Sequence, residues 1–285
     1  MNKKTLVLLV LLCACFGFLY RHVFVDLVSD WYHDDNYSHG FLIIPLALYL
    51  AWERRALFAS AKPRPSNLGL VVVLGSLAML FVGVLGVEFF TTRLSMLGII
   101  AGALLFLYGW EHLRVLFFPI AFLLLMIPIP AIIFNQVAFP LQLLASRFGE
   151  WTLMLFQIPV LREGNVINLA NTSLEVAEAC SGIRSLISLL TLGIVYGYFA
   201  ESRLWMRFIL ALATVPVAIA ANAFRVAGTG MAAHYFGAEA AEGFFHSFSG
   251  WLVFLVAFSM LFVCHRLLRL IAPVKAPAAE RSSAA

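Results

Sequence analysis

The chain has 285 residues, of which 62% are hydrophobic and 12% are charged. A soluble domain is roughly 45–50% apolar and about 25% charged, so this composition excludes an ordinary soluble enzyme and a disordered, collagen-like or disulfide-rich chain. The long unbroken apolar runs exclude a transmembrane β-barrel, whose strands alternate apolar and polar residues. The formal net charge of +4 predicts cytoplasmic loops rich in Lys and Arg. We therefore predict an all-α polytopic integral membrane protein.

The N-terminal segment combines a basic start with an apolar run. Lys3 and Lys4 precede the apolar stretch Thr5–Tyr20, as in a secretory signal peptide, and Leu12-Cys13-Ala14-Cys15 approximates a lipoprotein cleavage site. Because the apolar run continues past Cys15, we interpret this segment as a signal-anchor helix that stays in the membrane.

Eight apolar runs are predicted to be membrane spans, each of which needs about 20 apolar residues. They are residues 4–20, 39–53, 68–87, 94–110, 114–134, 184–200, 208–228 and 248–266. A ninth run, 138–161, contains Arg147 and Glu150 and is flanked by Pro140 and Pro159. We interpret this ninth run as an interfacial or re-entrant helix.

The distribution of charged residues predicts the orientation of the chain. With eight spans both termini share one side, which carries 13 of the 19 Lys and Arg residues and 4 of the 15 acidic residues. Because basic loops stay in the cytoplasm, both termini are predicted to be cytoplasmic. Residues 21–39, 135–181 and 229–247 then face outward. Residues 1–266 form one transmembrane domain in this interpretation, and residues 267–285 form a short disordered tail.

Cys180 lies among polar residues at the predicted outer end of the sixth span, in Glu178-Ala-Cys-Ser-Gly-Ile-Arg184. A cysteine at a helix N-terminus feels the positive end of the helix dipole, which favours the nucleophilic thiolate. Arg184 lies four residues later on the same helix face and acts in the same direction. The alternative is a passive thiol at a turn. We predict that Cys180 is a nucleophile.

Arg225 lies about one turn inside the outer end of the seventh span, with Asn222 three residues earlier on the same helix face. An arginine at this depth needs a partner or a wet cavity. One interpretation is that its side chain snorkels to the outer headgroups. The functional interpretation is a fixed guanidinium that faces Cys180 and binds a substrate carbonyl or a tetrahedral oxyanion.

His246 lies at the predicted outer start of the eighth span, in Gly243-Phe-Phe-His-Ser-Phe-Ser-Gly250. Histidine titrates near neutral pH and suits acid–base catalysis, whereas the alternative is an interfacial histidine in an aromatic belt. Spans six, seven and eight alternate in direction, so Cys180, Arg225 and His246 are predicted to share one membrane level. Such a set is suited to covalent acyl transfer in an outward-facing active-site cavity.

Other polar residues carry weaker patterns. His39 begins the second span on the outer side and is predicted to line the same cavity. Four outward side chains have metal-ligand chemistry but match no defined metal motif, so no metal site is predicted: His33, Asp34, Asp35 and His39. Three further side chains are expected to form structural ion pairs around the site: Arg162, Glu175 and Glu178. No nucleotide-binding loop is present, and we expect neither a cofactor nor a nucleic-acid partner.

Six short motifs resemble those of the exosortase/archaeosortase family. In chain order they are Tyr37-Ser-His-Gly-Phe-Leu-Ile43, Ile127-Pro-Ile-Pro130, Glu163-Gly-Asn-Val-Ile167, Ala179-Cys-Ser-Gly-Ile-Arg-Ser185, Asn222-Ala-Phe-Arg225 and Phe245-His246. The resemblance covers roughly residues 30–265, and Cys-Ser-Gly-x-Arg is its most specific part. A histidine as the third catalytic residue is similar to bacterial exosortases, whereas the archaeal branch tends to have arginine there.

The resemblance implies a multi-pass thiol protease or transpeptidase of the bacterial inner membrane, working with exopolysaccharide production. The implied substrates are exported proteins with a C-terminal sorting signal, which is a Pro-Glu-Pro motif, one transmembrane helix and a basic tail. Cys180 would be the nucleophile, Arg225 the substrate-orienting or oxyanion residue, and His246 the acid–base residue. Supporting or substrate-binding roles would fall on their neighbours and on one distant histidine: Glu178, Ser181, Arg184, Asn222 and His39. Because this chain stops soon after its last span, we expect a separate accessory protein where some relatives carry an extra domain.

Two other classes of membrane protein remain as alternatives. A polytopic acyl- or glycosyltransferase of envelope polysaccharide synthesis would use the same outer Arg225 and His246 on a lipid-linked donor, and would tolerate Cys180→Ser. A transporter or channel would need polar residues at mid-membrane depth, and here polar residues lie at the outer ends of the spans. The absence of an internal repeat also disfavours a secondary transporter.

Overall fold

The computed structural model of the protein describes residues 3–170, 173–176, 183–237 and 244–272, and in these ranges it describes all side chains except those of residues 3–5, 8, 9, 183 and 244–250. The chain forms two compact units, Met1–Phe134 and Asn135–Ala285. The described residues are helical apart from one small sheet in the second unit.

The first unit is built from helices throughout its described part. They are α1 (Lys3–Leu19), α2 (Arg21–His33), α3 (Gly40–Glu53), α4 (Arg55–Ser60), α5 (Leu68–Leu85), α6 (Phe89–Leu107), α7 (Trp110–Phe122) and a 3-10 helix (Leu123–Met126). The axes of α1 and α2 differ by 64°. α2 buries Val23, Leu27 and Trp31, which recur every four residues on one helix face. This periodicity explains why much of the predicted outward segment 21–39 is helical.

Helices α5 and α6 pack closely because small residues face each other along their interface. A Cβ atom on Gly102 would lie 2.9 Å from the backbone nitrogen of Val73, and one on Gly98 would run into Ser76. At Gly102, where the neighbour is backbone, a Cβ atom would force the two helices apart. In a bilayer, where no hydrophobic effect drives helices together, such small residues let two backbones approach and gain dispersion contacts.

The second unit, in its described part, combines four helices with a three-stranded antiparallel sheet. Its elements are α8 (Ala131–Leu155, which begins in the first unit), β1 (Val160–Glu163), β2 (Val166–Leu169), β3 (Ser173–Glu175), α9 (Ile183–Ala200), α10 (Leu204–Phe236) and α11 (Phe244–Ile271). The strand order is β1-β2-β3. A two-residue turn joins β1 to β2, and its first residue, Gly164, has φ +66°. Glycine at this position is typical of a type II′ hairpin turn.

Four described helices are long and apolar enough to cross a membrane: Leu68–Leu85, Phe89–Leu107, Leu204–Phe236 and Trp251–Ile271. The number rises to six if each of two bent helix pairs counts as one span, and two shorter apolar helices are Gly40–Glu53 and Arg184–Ala200. These eight parts follow the eight predicted segments in chain order. The polytopic helical architecture is therefore confirmed, whereas a count of eight spans stays a prediction.

Several predicted boundaries differ from the structure. The run 114–134 is not one helix, because Pro128 and Pro130 lack the backbone N–H groups that a continuous helix needs. Most of the ninth run belongs to α8, which begins and ends earlier than predicted. The last two residues of the run, 160 and 161, belong to β1. α10 extends eight residues beyond the predicted end of its span, and α11 ends at Ile271, within the segment predicted to be a disordered tail.

Candidate active site

Helices α9, α10 and α11 pack against one another around one apolar cluster. Each helix contributes buried side chains to it: Leu189 from α9, Val217, Ala218 and Ala221 from α10, and Val253 and Ala257 from α11. Tyr196 on α9 hydrogen-bonds Nδ1 of His265 on α11 at 2.7 Å, close to the C-terminal ends of both helices. α9 and α11 therefore run in the same direction, and α10 runs against them.

The apolar cluster gives a common reference level for the predicted site residues. Three of them lie a short way beyond it: Arg184 is five residues before Leu189, Arg225 is four residues after Ala221, and His246 is seven residues before Val253. With a rise of 1.5 Å per residue, these positions are about 8, 6 and 10 Å beyond the cluster. All three lie at the end of the bundle where α9 and α11 begin and α10 ends.

The polar side chains at this end are partly withdrawn from solvent. Asn222 is 2% exposed, and Arg225 and Arg184 are half-buried. Each of the three takes part in a polar, ring or electrostatic interaction. Asn222 and Arg225 are three residues apart and therefore share one face of α10. A half-buried guanidinium with five N–H donors next to a buried amide is suited to binding carbonyl or carboxylate oxygens.

A second apolar cluster joins the sheet to α8 and α10. Its buried members are Ala145, Leu153, Ile158, Ile167, Val176 and Val226. Val226 directly follows Arg225, and Val176 is the residue after β3. The chain that leaves the sheet at Val176 is thus held in the same core as the residue next to Arg225.

Polar contacts fasten the β1–β2 hairpin to α8. Nε of Arg162 lies 2.7 Å from Oε2 of Glu150, and both side chains are about three-quarters buried. Nη1 of Arg162 and Oγ of Ser146 both donate to the carbonyl of Gly164, at 2.8 and 3.0 Å. Arg162 was expected to form a structural ion pair, and it does so with Glu150. The turn at residues 156–159, between α8 and β1, brings these two side chains together.

The structure locates the predicted site residues to different degrees. Arg184, Asn222 and Arg225 lie at one end of the bundle. His246 lies in the first turn of α11, and only its backbone is described. Three predicted residues lie outside the described part of the chain: Cys180, Glu178 and Ser181. The contacts among Cys180, Arg225 and His246 stay a prediction.

His39 belongs to the first unit, where it helps to hold the segment Ile127-Pro-Ile-Pro130. Its Nε2 lies 3.1 Å from the carbonyl oxygen of Leu125, an acceptor, so Nε2 carries the proton. Trp31 Nε1 donates to the carbonyl of Met126 at 2.9 Å, and the hydroxyl of Tyr37 accepts from the N–H of Ile129 at 3.1 Å. These carbonyls end the 3-10 helix and have no helical partner. The motif that begins at Tyr37 therefore contacts the motif Ile127-Pro-Ile-Pro130 directly.

The described side chains contain no group of three or more His, Cys, Asp and Glu residues arranged to hold a metal ion. The apolar runs did not predict the sheet, although the sequence carries a signal for it. Residues 160–163 and 166–169 are short runs rich in Val, Leu and Ile on either side of Gly164-Asn165, which is the pattern of a two-residue hairpin. Hydropathy alone does not separate such short apolar strands from helices.

Comparison with known proteins agrees with the motifs. A family model described as Transmembrane exosortase (Exosortase_EpsH) matches residues 31–263, which is most of the chain. No curated protein matches the chain, and no solved structure does. The matched range begins at Trp31 and ends in α11, so it includes the sheet, Arg225 and the predicted nucleophile. The chain belongs to the transmembrane exosortase family.

Proposed function

We propose that this exosortase is a membrane-embedded cysteine protease or transpeptidase that removes the C-terminal sorting signal of exported proteins. In this proposal Cys180 is the nucleophile, Arg225 binds the carbonyl oxygen and His246 transfers protons. The reaction takes place at the outer face of the inner membrane, with both termini in the cytoplasm. The basic residues on the predicted cytoplasmic side support that orientation.

One observation carries the proposal: Val176 and Val226 belong to the same buried cluster. Cys180 follows Val176 by four residues, and a chain of four residues reaches at most about 14 Å. Cys180 therefore lies within that distance of Val176. Val176 in turn packs in the same cluster as Val226, the residue next to Arg225. The first turn of α11, with His246, belongs to the same helical bundle.

The proposed reaction proceeds through a thioester. The Cys180 thiolate attacks the carbonyl carbon of the scissile peptide bond, and the oxyanion that forms is stabilised by the Arg225 guanidinium. When the intermediate collapses, the C–N bond breaks and the leaving amine takes a proton from protonated His246. Water or an amine acceptor then attacks the thioester and gives its proton to His246. The trimmed substrate is released as a carboxylic acid or as an amide of the acceptor, and the thiolate is restored.

The surrounding residues have supporting roles in this proposal. Arg184 and the N-terminus of α9 favour the thiolate form of Cys180, because both present positive charge. Asn222 fixes the direction of the Arg225 side chain or adds a donor to the oxyanion. The lipid bilayer holds the sorting helix of the substrate, and a separate protein of the exopolysaccharide system is the proposed accessory partner.

The test is co-expression with a reporter that carries a C-terminal sorting signal, whose length is followed by immunoblot. We expect the wild type to shorten the reporter, and Cys180→Ala and Cys180→Ser to lower processing by about 100-fold or more. The matched controls are Cys264→Ala and Cys264→Ser, since Cys264 is a free thiol on α11 at the other end of the bundle. Capture of the new C-terminus distinguishes hydrolysis from transfer.

Two outcomes would contradict the proposal. If neither the wild type nor any variant processes the reporter, the proposed substrate class is wrong. If Cys180→Ser processes it as fast as the wild type, the thiol is not the nucleophile, and a transferase of envelope polysaccharide synthesis becomes the better explanation.

Arg225→Ala is expected to lower the processing rate by about 10²–10³-fold with little change in reporter binding, which is the usual effect of removing an oxyanion donor.

A further inference from the structure

We propose that the outer edge of β3 is the docking strand for the substrate, which adds to it as a fourth strand, parallel to β3 and bound backbone to backbone. This inference rests on the proposed function, because it assigns the place where the segment around the sorting motif binds. It adds a recognition surface, residues Ser173–Glu175, to the proposed site.

The register of the sheet shows which backbone groups of β3 point outward. The N–H of Val176 donates to the carbonyl of Asn165 at 2.8 Å, and Leu174 lies opposite Ile167. In an antiparallel pair, hydrogen-bonded and non-hydrogen-bonded positions alternate. Leu174 and Val176 therefore direct their N–H and C=O groups toward β2. The corresponding groups of Ser173 and Glu175 point away from the sheet.

The β1–β2 hairpin supports this alternation independently. A two-residue turn closes on a hydrogen-bonded pair, and here that pair is Glu163 and Val166. Val166 thus directs its N–H and C=O groups toward β1, and Ile167 directs its own toward β3. Leu174 opposite Ile167 is then a hydrogen-bonded position, in agreement with the bond between Val176 and Asn165.

β3 is anchored to the core through one side chain, and its other two side chains are exposed. Leu174 packs against the buried cluster that contains Ile167 and Val176, whereas the side chains of Ser173 and Glu175 are exposed. No described strand pairs with this edge. The opposite edge strand, β1, begins directly after Pro159, and a proline there hinders strand addition. An exposed, fixed edge is the usual template for an extended peptide.

The sorting motif of the proposed substrate fits this edge in a specific way. In an extended chain, alternate residues present their backbone groups to the same side. The two prolines of Pro-Glu-Pro therefore fall on one side, where their missing N–H groups face solvent, and the glutamate between them faces β3. In parallel pairing, its N–H donates to the carbonyl of Ser173 and its C=O accepts from the N–H of Glu175.

The parallel direction is part of the proposal and follows from chain connectivity. Cys180 comes four residues after Val176, the residue that follows β3, and four residues span at most about 14 Å. A substrate that runs parallel to β3 leaves the edge at this same end, whereas an antiparallel one leaves it at Ser173. Backbone pairing gives affinity that depends little on side chains, which suits an enzyme acting on many proteins that share one short motif.

The first test uses the wild-type chain in lipid nanodiscs and synthetic peptides in which Ala-Glu-Ala replaces the motif. One backbone nitrogen at a time is methylated, and cleavage kinetics are measured. We expect methylation at the glutamate to raise KM by about tenfold or more, since it removes one hydrogen bond and adds a clash. Methylation at either alanine is expected to change KM by less than about threefold. Equal sensitivity at all three positions, or sensitivity at the alanines only, overturns the proposal.

The second test changes the enzyme. Glu175→Pro removes the outward N–H, and Glu175→Ala removes only the carboxylate, so their ratio isolates the backbone donor. We expect the proline variant to raise KM about tenfold over the alanine variant. The matched control is Val160→Pro, which removes an outward N–H from β1 and keeps a three-carbon side chain. A Glu175→Pro variant that behaves like Glu175→Ala overturns the proposal, as does an equal rise in KM for Val160→Pro.

Binding is also measured without catalysis, so that the two proposals fail separately. A peptide with a photo-crosslinker beside the motif is irradiated with the Cys180→Ala chain, and the crosslinked residues are mapped. Crosslinks at residues 173–175 support the docking strand even if Cys180 is not the nucleophile. Cleavage by the wild type together with crosslinks confined to other segments overturns the docking strand and leaves the proposed function intact.

Discussion

Gly149 on α8 lies so close to Val226 on α10 that a Cβ atom at position 149 would be 2.6 Å from Cγ1 of Val226 and 3.1 Å from Cδ1 of Ile167. Valine has little freedom to move its methyl groups, because it is branched at Cβ. The backbone of α8 therefore rests directly on the residue next to Arg225, and it touches the sheet at the same point. This contact places β2 beside the turn of α10 that carries Arg225.

Gly149→Ala is expected to lower the free energy of unfolding by about 1–3 kcal/mol, since an extra methyl group overpacks this contact. The matched control is Gly228→Ala on α10, where a Cβ would meet no atom within 4 Å. Alanine is the better helix former, so this control is expected to be neutral or slightly stabilising. Thermal unfolding of the purified variants in one detergent measures both. Equal Tm values for the two variants would show that the two helices are not in such close contact.

Arg93 on α6 is 5% exposed in its side chain and forms an ion pair with Asp30 on α2 at 2.6 Å. Asp30→Asn removes the carboxylate that contacts the buried guanidinium. Because Asp30 itself is 39% exposed, we expect a loss of about 1–3 kcal/mol, less than for a fully buried pair. Asp26→Asn, an exposed position on the same helix, is the control. In a double-mutant cycle with Arg93→Met, a coupling energy below about 0.5 kcal/mol would refute the pairing.

Glu201 joins the ends of α9, α10 and α11. Its carboxylate contacts Arg203, Arg269 and His265 at 3.1, 3.4 and 3.6 Å, and it is 2% exposed. The hydrogen bond from Arg203 is the main reason why the pKa of Glu201 falls to about 2. A lowered carboxyl pKa stabilises the fold above the pKa of the unfolded chain, and this stabilisation is lost as the pH falls through the folded value.

Glu201→Gln is therefore expected to lower the free energy of unfolding by up to about 3 kcal/mol at pH 7, which corresponds to the shift of the pKa from 4.5 to about 2. The difference between wild type and variant is expected to be constant above pH 5 and to shrink between pH 4.5 and pH 2. Tm measured across that range tests it, with the exposed Glu53→Gln as control. A difference that does not depend on pH would mean that the carboxylate charge plays no part.

The hydroxyl of Tyr37 is the acceptor for the only backbone N–H in the stretch Pro128-Ile-Pro130. Tyr37→Phe leaves the N–H of Ile129 without this partner, and we expect a loss of about 1–2 kcal/mol. Hydrogen exchange at the Ile129 amide is expected to speed up locally. Tyr32→Phe removes the same hydroxyl from a side chain that is 77% exposed and is expected to have no effect. Unchanged exchange at Ile129 in Tyr37→Phe would contradict the contact.

The helical membrane architecture was predictable because bilayer burial imposes long apolar runs that single-sequence hydropathy detects. The family was predictable as well, since Cys180, Arg184, Asn222, Arg225 and His246 lie in short motifs with fixed local spacing. The interruption of the predicted span 114–134 at Pro128 and Pro130 could have been predicted from the missing N–H groups. The apolar composition of that segment alone indicates one continuous span. The small sheet was hidden in the same way, because hydropathy does not separate short strands from helix ends.

Composition and local spacing were enough to locate the apolar helices and the residues that carry the proposed chemistry. The neighbours of those residues depend on the folded chain. Val176 shares one core with Val226, Arg162 pairs with Glu150, and the motif of Tyr37 and His39 holds the backbone near Pro128. These contacts join residues far apart in the chain, and they arise from packing and hydrogen-bond satisfaction in three dimensions, which no local pattern encodes.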